Sequence, residues 1–193
     1  MRLVVLSRHS ESVFNVERRV NGNPAVPVAL TEDGERQAGL LGLQLRGLPI
    51  DLCIHTRFER TRRTAEIALH GRDVPFLEEP LLDDIDVGEL DGEPLDVYRA
   101  YRDSLPRHAS FPGGESRDDA AARYAEAFRV LAARPERTIL VVCHEIPVRY
   151  ALNGAAGSDS LDAPASRIPN ATPFMFEQGD LALAAARIAE LAR

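Results

Sequence analysis

The sequence predicts an α/β fold of three layers, α/β/α, around a mostly parallel sheet. Three observations carry this reading. Short apolar runs without alternation, at Leu3 to Leu6, at 50–56 and at 138–143, have the composition of strands covered on both faces. Each is followed sooner or later by a stretch of helical character, and strand-helix alternation places helices on both faces of such a sheet. At 193 residues, with 45% hydrophobic and 27% charged residues, the chain has material for one substantial core. One domain over 1–193 is therefore expected, with a long excursion at 81–117.

The first strand ends abruptly in Ser7, Arg8, His9, Ser10, Glu11 and Ser12. A loop follows at 20–28, marked by Asn21, Gly22, Asn23, Pro24 and Pro27. Thr31 is a natural N-cap for a helix with acids in its first turn. Ala38, Leu41, Leu45 and Leu48 keep near-helical spacing up to the stop at Gly47, Leu48 and Pro49. IDLCIHT (50–56) reads as the second strand, 58–71 as a helix ending at Gly71, and DVPFLEE (73–79) as a short third strand. Residues 81–117 are punctuated by Gly, Pro and Asp and are too long for a simple connection. A helix at 118–135, a strand at 138–143 and a helix at 146–157 come next. In the tail, 172–188, Gly179 and Asp180 between two apolar stretches predict an antiparallel pair.

Thirty acidic residues against 23 basic ones give a formal charge of −7, and there is no Lys/Arg-rich tract. Nucleic acid is therefore not expected as a partner, and an anionic ligand must be drawn by a local cluster. Cys53 and Cys143 each lie in an apolar strand, without zinc or disulfide spacing, and are expected to be reduced and buried. No apolar stretch approaches a membrane span, and the first strand starts almost at Met1. No membrane, no signal peptide and a cytoplasmic location are the expectations.

Two strand ends deliver histidines. Ligands of parallel sheets bind beyond the carboxyl ends of the strands, where Arg8-His9 and His144-Glu145 stand. If the two strands are neighbours, His9 and His144 face one crevice; taken singly, each is equally a polar strand exit. A third cluster, Arg57, Arg60, Arg62 and Arg63, surrounds a helix start, where free N–H groups and the helix dipole attract anions. Arginines at that end are electrostatically unfavourable. An anionic ligand is thus the expected partner of at least one of them, and solvent that of the rest.

These residues carry a family resemblance. Arg8-His9-Ser10-Glu11-Ser12 with Asn15 resembles the R-H-G-E-[ST]-x-x-N opening of the histidine phosphatase superfamily, in its phosphoglycerate-mutase-like branch. Leu30-Thr31-Glu32-Asp33-Gly34 with Gln37-Ala38 resembles L-T-x-x-G-x-x-Q-A, and Arg60-Thr61 with Thr64-Ala65 resembles R-[AT]-x-Q-T-A. DIDVGELDG, from Asp84 to Gly92, resembles E-x-x-x-G-x-x-x-G, and Gly113-Gly114-Glu115-Ser116 resembles the family's P-G-G-E-S. His144 stands where the second family histidine follows a long strand.

The resemblance implies phosphoryl transfer on a phosphorylated small molecule, with no metal and no cofactor, by a monomer or homodimer. His9 would be the nucleophile that forms a phosphohistidine, its ring oriented by a backbone carbonyl. Arg8, Arg60 and His144 would clamp the phosphoryl oxygens, with Asn15 adding a neutral hydrogen bond and Ser10 adjoining the pocket. Asp84 would be the general acid for the leaving group and then the base for water, with Asp83 and Asp86 as rivals. The excursion at 81–117 would cover the active site.

Departures from the pattern matter too. Ser10 replaces a glycine and adds a Cβ. Glu145 replaces a second glycine, and its carboxylate repels phosphate unless it points away or pairs with an arginine such as Arg149; if close, it also raises the pKa of Asp84. Asp84 is one methylene shorter than the usual glutamate, Arg63 stands for a glutamine, and His55-Thr56 takes the place of a Ser-Ser pair at the rim. The leading function is a phosphatase of a small phosphate monoester. A phosphoglycerate mutase, whose family members resemble longer chains, is the second. A phosphohistidine-protein phosphatase and a phosphate-binding or regulatory relative weakened at Ser10, Asp84 and Glu145 are the others.

Overall fold

The computed structural model describes residues 2–193. At its centre is a five-stranded sheet in the order β3-β2-β4-β1-β5: β1 is Leu3–Arg8, β2 Leu52–His55, β3 Phe76–Glu78, β4 Thr138–Cys143 and β5 Pro173–Glu177. Four strands are parallel, and β5 runs antiparallel to β1. Leu3 lies opposite Thr138 and Arg8 opposite Cys143, so β1 and β4 end level with each other. The His9 N–H donates to the Cys143 carbonyl at 2.9 Å, and the two strand-end histidines therefore emerge side by side.

Successive strand residues point to opposite faces. Val4 and Leu6, with Ile139 and Val141, face a core shared with α5 (Arg117–Ala133), α6 (Glu145–Ala155) and α7 (Gln178–Leu191). Val5, with Leu140 and Val142, faces the core of α2 (Glu32–Gln44) and α3 (Glu59–Ala68). The three predicted layers follow from this division. Full burial of a side chain such as Phe128 or Leu41 contributes about 1.5–3 kcal/mol relative to leaving it exposed. The helix starts obey local chemistry: Thr31 Oγ1 accepts from Gly34 N–H at 2.9 Å, and Ser116 forms a capping box with Asp119. Among the described residues no helix is long and apolar enough to cross a membrane.

The tail corrects the sequence reading. Residues 172–188 are not an antiparallel pair: β5 pairs with β1, and Gly179 and Asp180 lie in the first turn of α7. The alanine-rich stretch after them favours helix, and Leu181, Ala184, Ala185 and Ile188 are buried at helical spacing. The excursion also holds structure that was not predicted, namely 3-10 turns at Pro80–Leu82 and Gly88–Leu90 and a helix, α4 (Leu95–Ser104). Leu95 and Tyr98 of α4 pack on the core one turn apart, but Tyr98 is its only buried residue and the helix is ten residues long, so the stripe does not stand out from the punctuated loop around it. The five-residue α1 (Val13–Glu17) is too short to show a period at all.

Gly88 shows why the excursion is punctuated as it is. Its φ is +53°, and a Cβ there would stand 2.1 Å from the Pro112 carbonyl oxygen. Gly88→Ala is expected to destabilise the protein by roughly 2 kcal/mol or more through strain and displaced backbone. Thermal unfolding checks this, and an unchanged midpoint would show that the two loop segments separate freely.

Candidate active site

His9 lies one residue beyond β1 and is buried. Its Nδ1 is 2.7 Å from the Ser10 carbonyl oxygen, an atom that can only accept, so the proton sits on Nδ1 and the Nε2 lone pair faces the crevice. Burial first, then the charges of Arg60 and Arg8, hold its pKa well below the ordinary histidine value. The ring is neutral and nucleophilic near pH 7. Ser10 is buried behind it, its N–H donating to Thr64 Oγ1 at 3.0 Å, and its backbone stays outside the left-handed region, which is why a side chain replaces glycine there without strain.

Arg60, in the first turn of α3, is the hub. Its Nε–H donates to His9 Nε2 at 3.1 Å, and its Nη2 donates to His144 Nδ1 at 3.1 Å and to Asp84 Oδ2 at 3.3 Å. Nη1 donates to the Asn21 side-chain oxygen, and the Asn21 carbonyl, 3.2 Å away, shares the Nη2 donors with His144 and Asp84. The guanidinium rests on the Phe58 ring, 4.2 Å from carbon to centroid. Burial lowers the Arg60 pKa to about 10, so the group remains charged at neutral pH.

His144, the N-cap of α6, is fully buried. Because Arg60 can only donate, His144 Nδ1 accepts, and its Nε2–H donates to Thr56 Oγ1 at 3.0 Å. The Thr56 hydroxyl in turn meets Thr61 Oγ1 at 2.9 Å. Burial, with Arg60 and His9 nearby, lowers the His144 pKa well below its ordinary value. In this state His144 presents a lone pair and orients Arg60; its Nδ1 becomes a donor to an anion only on gaining a proton. His55 and Thr56 are buried beneath the site rather than at its rim, which corrects the sequence reading.

Of the three candidate acids, Asp84 is the one at the histidines. Its Oδ2 lies 3.5 Å from His144 Nδ1 as well as against Arg60. Asp83 is committed to the backbone N–H of Arg57 and to its Nε, and Asp86 to Gly88 N–H. Burial raises the Asp84 pKa, against the opposing charge of Arg60. The condition under which Glu145 would contribute is not met, because its carboxylate turns to Arg8, 2.7 Å away; Arg149, the partner the sequence suggests, is more distant at 3.9 Å.

The side-chain oxygen of Asn15 accepts the Ser12 N–H at the start of α1, which leaves its amide N–H₂ as the group that can donate to a ligand. Arg57, Arg62 and Arg63 point outward, paired with Asp83, Glu66 and Glu35 respectively.

Sequence reasoning missed the residues that hold this geometry. Arg123 of α5 donates to the carbonyls of Leu81, Asp83 and Asp84 at 2.8 to 2.9 Å and pairs with Glu115, fixing the acid loop on the domain core. Asp91 accepts from Gly22 N–H at 2.6 Å and Asn23 N–H at 3.2 Å, tying the Asn21 loop to the excursion. Neither pairing has a local sequence signal, since the partners are far apart in the chain.

Arg60→Ala should lower kcat/KM for phosphate esters by roughly a hundredfold or more, because one guanidinium serves His9, His144, Asp84 and Asn21 together. Arg60→Lys should recover little, as an ammonium cannot reproduce the fork. Steady-state kinetics of both variants decide this, and normal kinetics in Arg60→Ala would remove Arg60 from the site chemistry.

A family model described as the histidine phosphatase superfamily (branch 1) matches residues 4–183. The "Probable phosphoglycerate mutase GpmB" of Erwinia tasmaniensis is 34% identical over 152 residues, covering 75% of this chain and 70% of that protein. The "Uncharacterized phosphatase PhoE" of Bacillus subtilis is 27% identical over 173 residues, covering 89% and 86%. Among solved structures, Bacillus stearothermophilus YhfR has a TM-score of 0.80 at 27% identity, with 92% of this chain and 91% of that one covered. The matched region contains the paired strands, both histidines, Arg60 and the acid loop, and on that footing the chain belongs to the histidine phosphatase superfamily, branch 1.

Proposed function

We propose that the chain is a phosphatase that hydrolyses a small phosphate monoester, without metal, through a phosphohistidine at His9 Nε2. The observation that carries this reading is the fixed His9 ring: Nδ1–H is held by the Ser10 carbonyl, and the Nε2 lone pair lies within the arc of Arg60, His144 and Asp84. Arg60 rests on Nε2 in the free protein. An incoming phosphoryl group takes over its donors together with those of Arg8, and two guanidinium groups supply the charge stabilisation that a metal provides elsewhere.

Attack then forms the Nε2–P bond as the P–O bond to the alcohol breaks, and protonated Asp84 delivers its proton to the departing oxygen. The resulting Asp84 carboxylate accepts a proton from water as that water attacks phosphorus. The N–P bond breaks, and inorganic phosphate, neutral His9 and protonated Asp84 are restored. Similarity to the Erwinia protein makes phosphoglycerate mutation the second reading. Incubation with a panel of phosphate monoesters and phosphoglycerates in the presence of a chelator separates the two. Release of inorganic phosphate supports the phosphatase, isomerised phosphoglycerate without release supports the mutase, and neither product would sink both.

A further inference from the structure

We infer that Glu145 is a specificity-determining residue: its carboxylate favours esters whose alcohol portion carries no second anionic group near the phosphate, and it rejects carboxylated esters of the phosphoglycerate kind. This deepens the phosphatase reading and takes from it the placement of the phosphoryl group on Arg8, Arg60 and His9. Glu145 opens α6 directly after His144, yet its side chain is 31% exposed where His144 is fully buried, so it stands at the border between the cradle and solvent.

Arg8 Nη1 is spent twice, on Glu145 Oε2 at 2.7 Å and on the Ile168 carbonyl at 2.8 Å. Its Nε–H is buried and has no acceptor among the described residues, which leaves that donor for a ligand. A phosphoryl group on Arg8 therefore has the Glu145 carboxylate as its neighbour across one guanidinium. The bases behind Glu145 are already matched. Arg149 lies 3.9 Å from Glu145 but 3.1 Å from Asp162, and Arg107 is shared between Asp162 at 2.6 Å and Asp118 at 3.0 Å. Along the series Arg8, Glu145, Arg149, Asp162, Arg107, Asp118, acids and bases alternate one for one, so the series carries no net positive charge to draw a substrate carboxylate. A hydroxyl group can donate to Glu145; a second anion meets a like charge, which is how interfaces reject wrong partners.

The test compares glycerol 3-phosphate with 3-phosphoglycerate, in which a carboxylate replaces the terminal hydroxymethyl group, on the wild-type protein and on Glu145→Gln. The wild type should prefer glycerol 3-phosphate in kcat/KM by about tenfold or more. Glu145→Gln should close most of that gap by improving 3-phosphoglycerate, while glycerol 3-phosphate changes much less. Equal changes on both esters would mean that Glu145 only orients Arg8, and a wild type that handles both esters alike would equally overturn the inference. If neither ester is turned over, the phosphatase reading is decided by the wider panel of monoesters, separately from Glu145. Calorimetric binding of the same two esters then decides for Glu145: a preference for glycerol 3-phosphate that is lost in the variant upholds it, and equal binding in both proteins overturns it.

Discussion

His9→Ala is expected to lower turnover of every phosphate ester by roughly ten-thousandfold or more, since a nucleophile that works as one unit with its clamps takes most of the rate with it. The protein should still fold. His9 is buried, so the substitution is not neutral: it removes the bond to the Ser10 carbonyl and leaves the Arg60 Nε–H without its acceptor, at a cost of about 1–3 kcal/mol. The strands on either side are untouched, because β1 is held by β4 from Leu3 to Arg8 and by β5 from Leu3 to Ser7. Circular dichroism and a thermal midpoint establish folding, and the residual rate is then read on folded protein. A residual rate near that of the parent would remove His9 from the chemistry.

Asp84→Asn should split two kinds of substrate. An alkoxide leaves phosphorus poorly without a proton, whereas a nitrophenolate leaves unaided. Turnover of an alkyl phosphate should therefore fall by about a hundred to ten-thousandfold, and phosphorylation by an aryl phosphate much less. Water activation is lost in both cases, so phosphohistidine should accumulate with the aryl ester. The pH profile follows from the direction of the shift. Burial raises the Asp84 pKa, which keeps the protonated acid populated to higher pH than an exposed aspartate would. The alkyl-ester rate should decline as pH rises through that pKa, and the Asn variant should lose this limb. On the acid side His9 imposes no loss until well below its ordinary value, because its own pKa is depressed. Equal losses on both esters with no accumulated intermediate would reduce Asp84 to a loop residue.

Local chemistry decided what the sequence revealed. β1 and β4 were legible as buried strands because nothing polar interrupts them, and the Thr31 cap was legible because capping acts within three residues. His9, Arg60 and His144 were legible as candidates because buried strand ends and a helix start have no structural use for such groups. What failed was non-local or masked. Gly179 and Asp180 read as a turn because the pairing of β5 with β1 is invisible in the order of residues. Asn21, Thr56 and Arg123 hide because each acts on a partner at least 39 positions away. The sequence marks Glu145 as anomalous and offers Arg149, one helical turn away, as a partner, whereas Arg8 reaches it more closely across adjacent strand ends.

The central claim is the covalent intermediate on His9, and rapid quenching of Asp84→Asn with a phosphorus-labelled aryl phosphate tests it most directly. The slowed second step should leave label on the protein that is lost in acid, survives alkali, maps to His9, and is absent when His9→Ala is added. Continued product release with no labelled protein at any time, or an acid-stable label on another residue, would contradict the account.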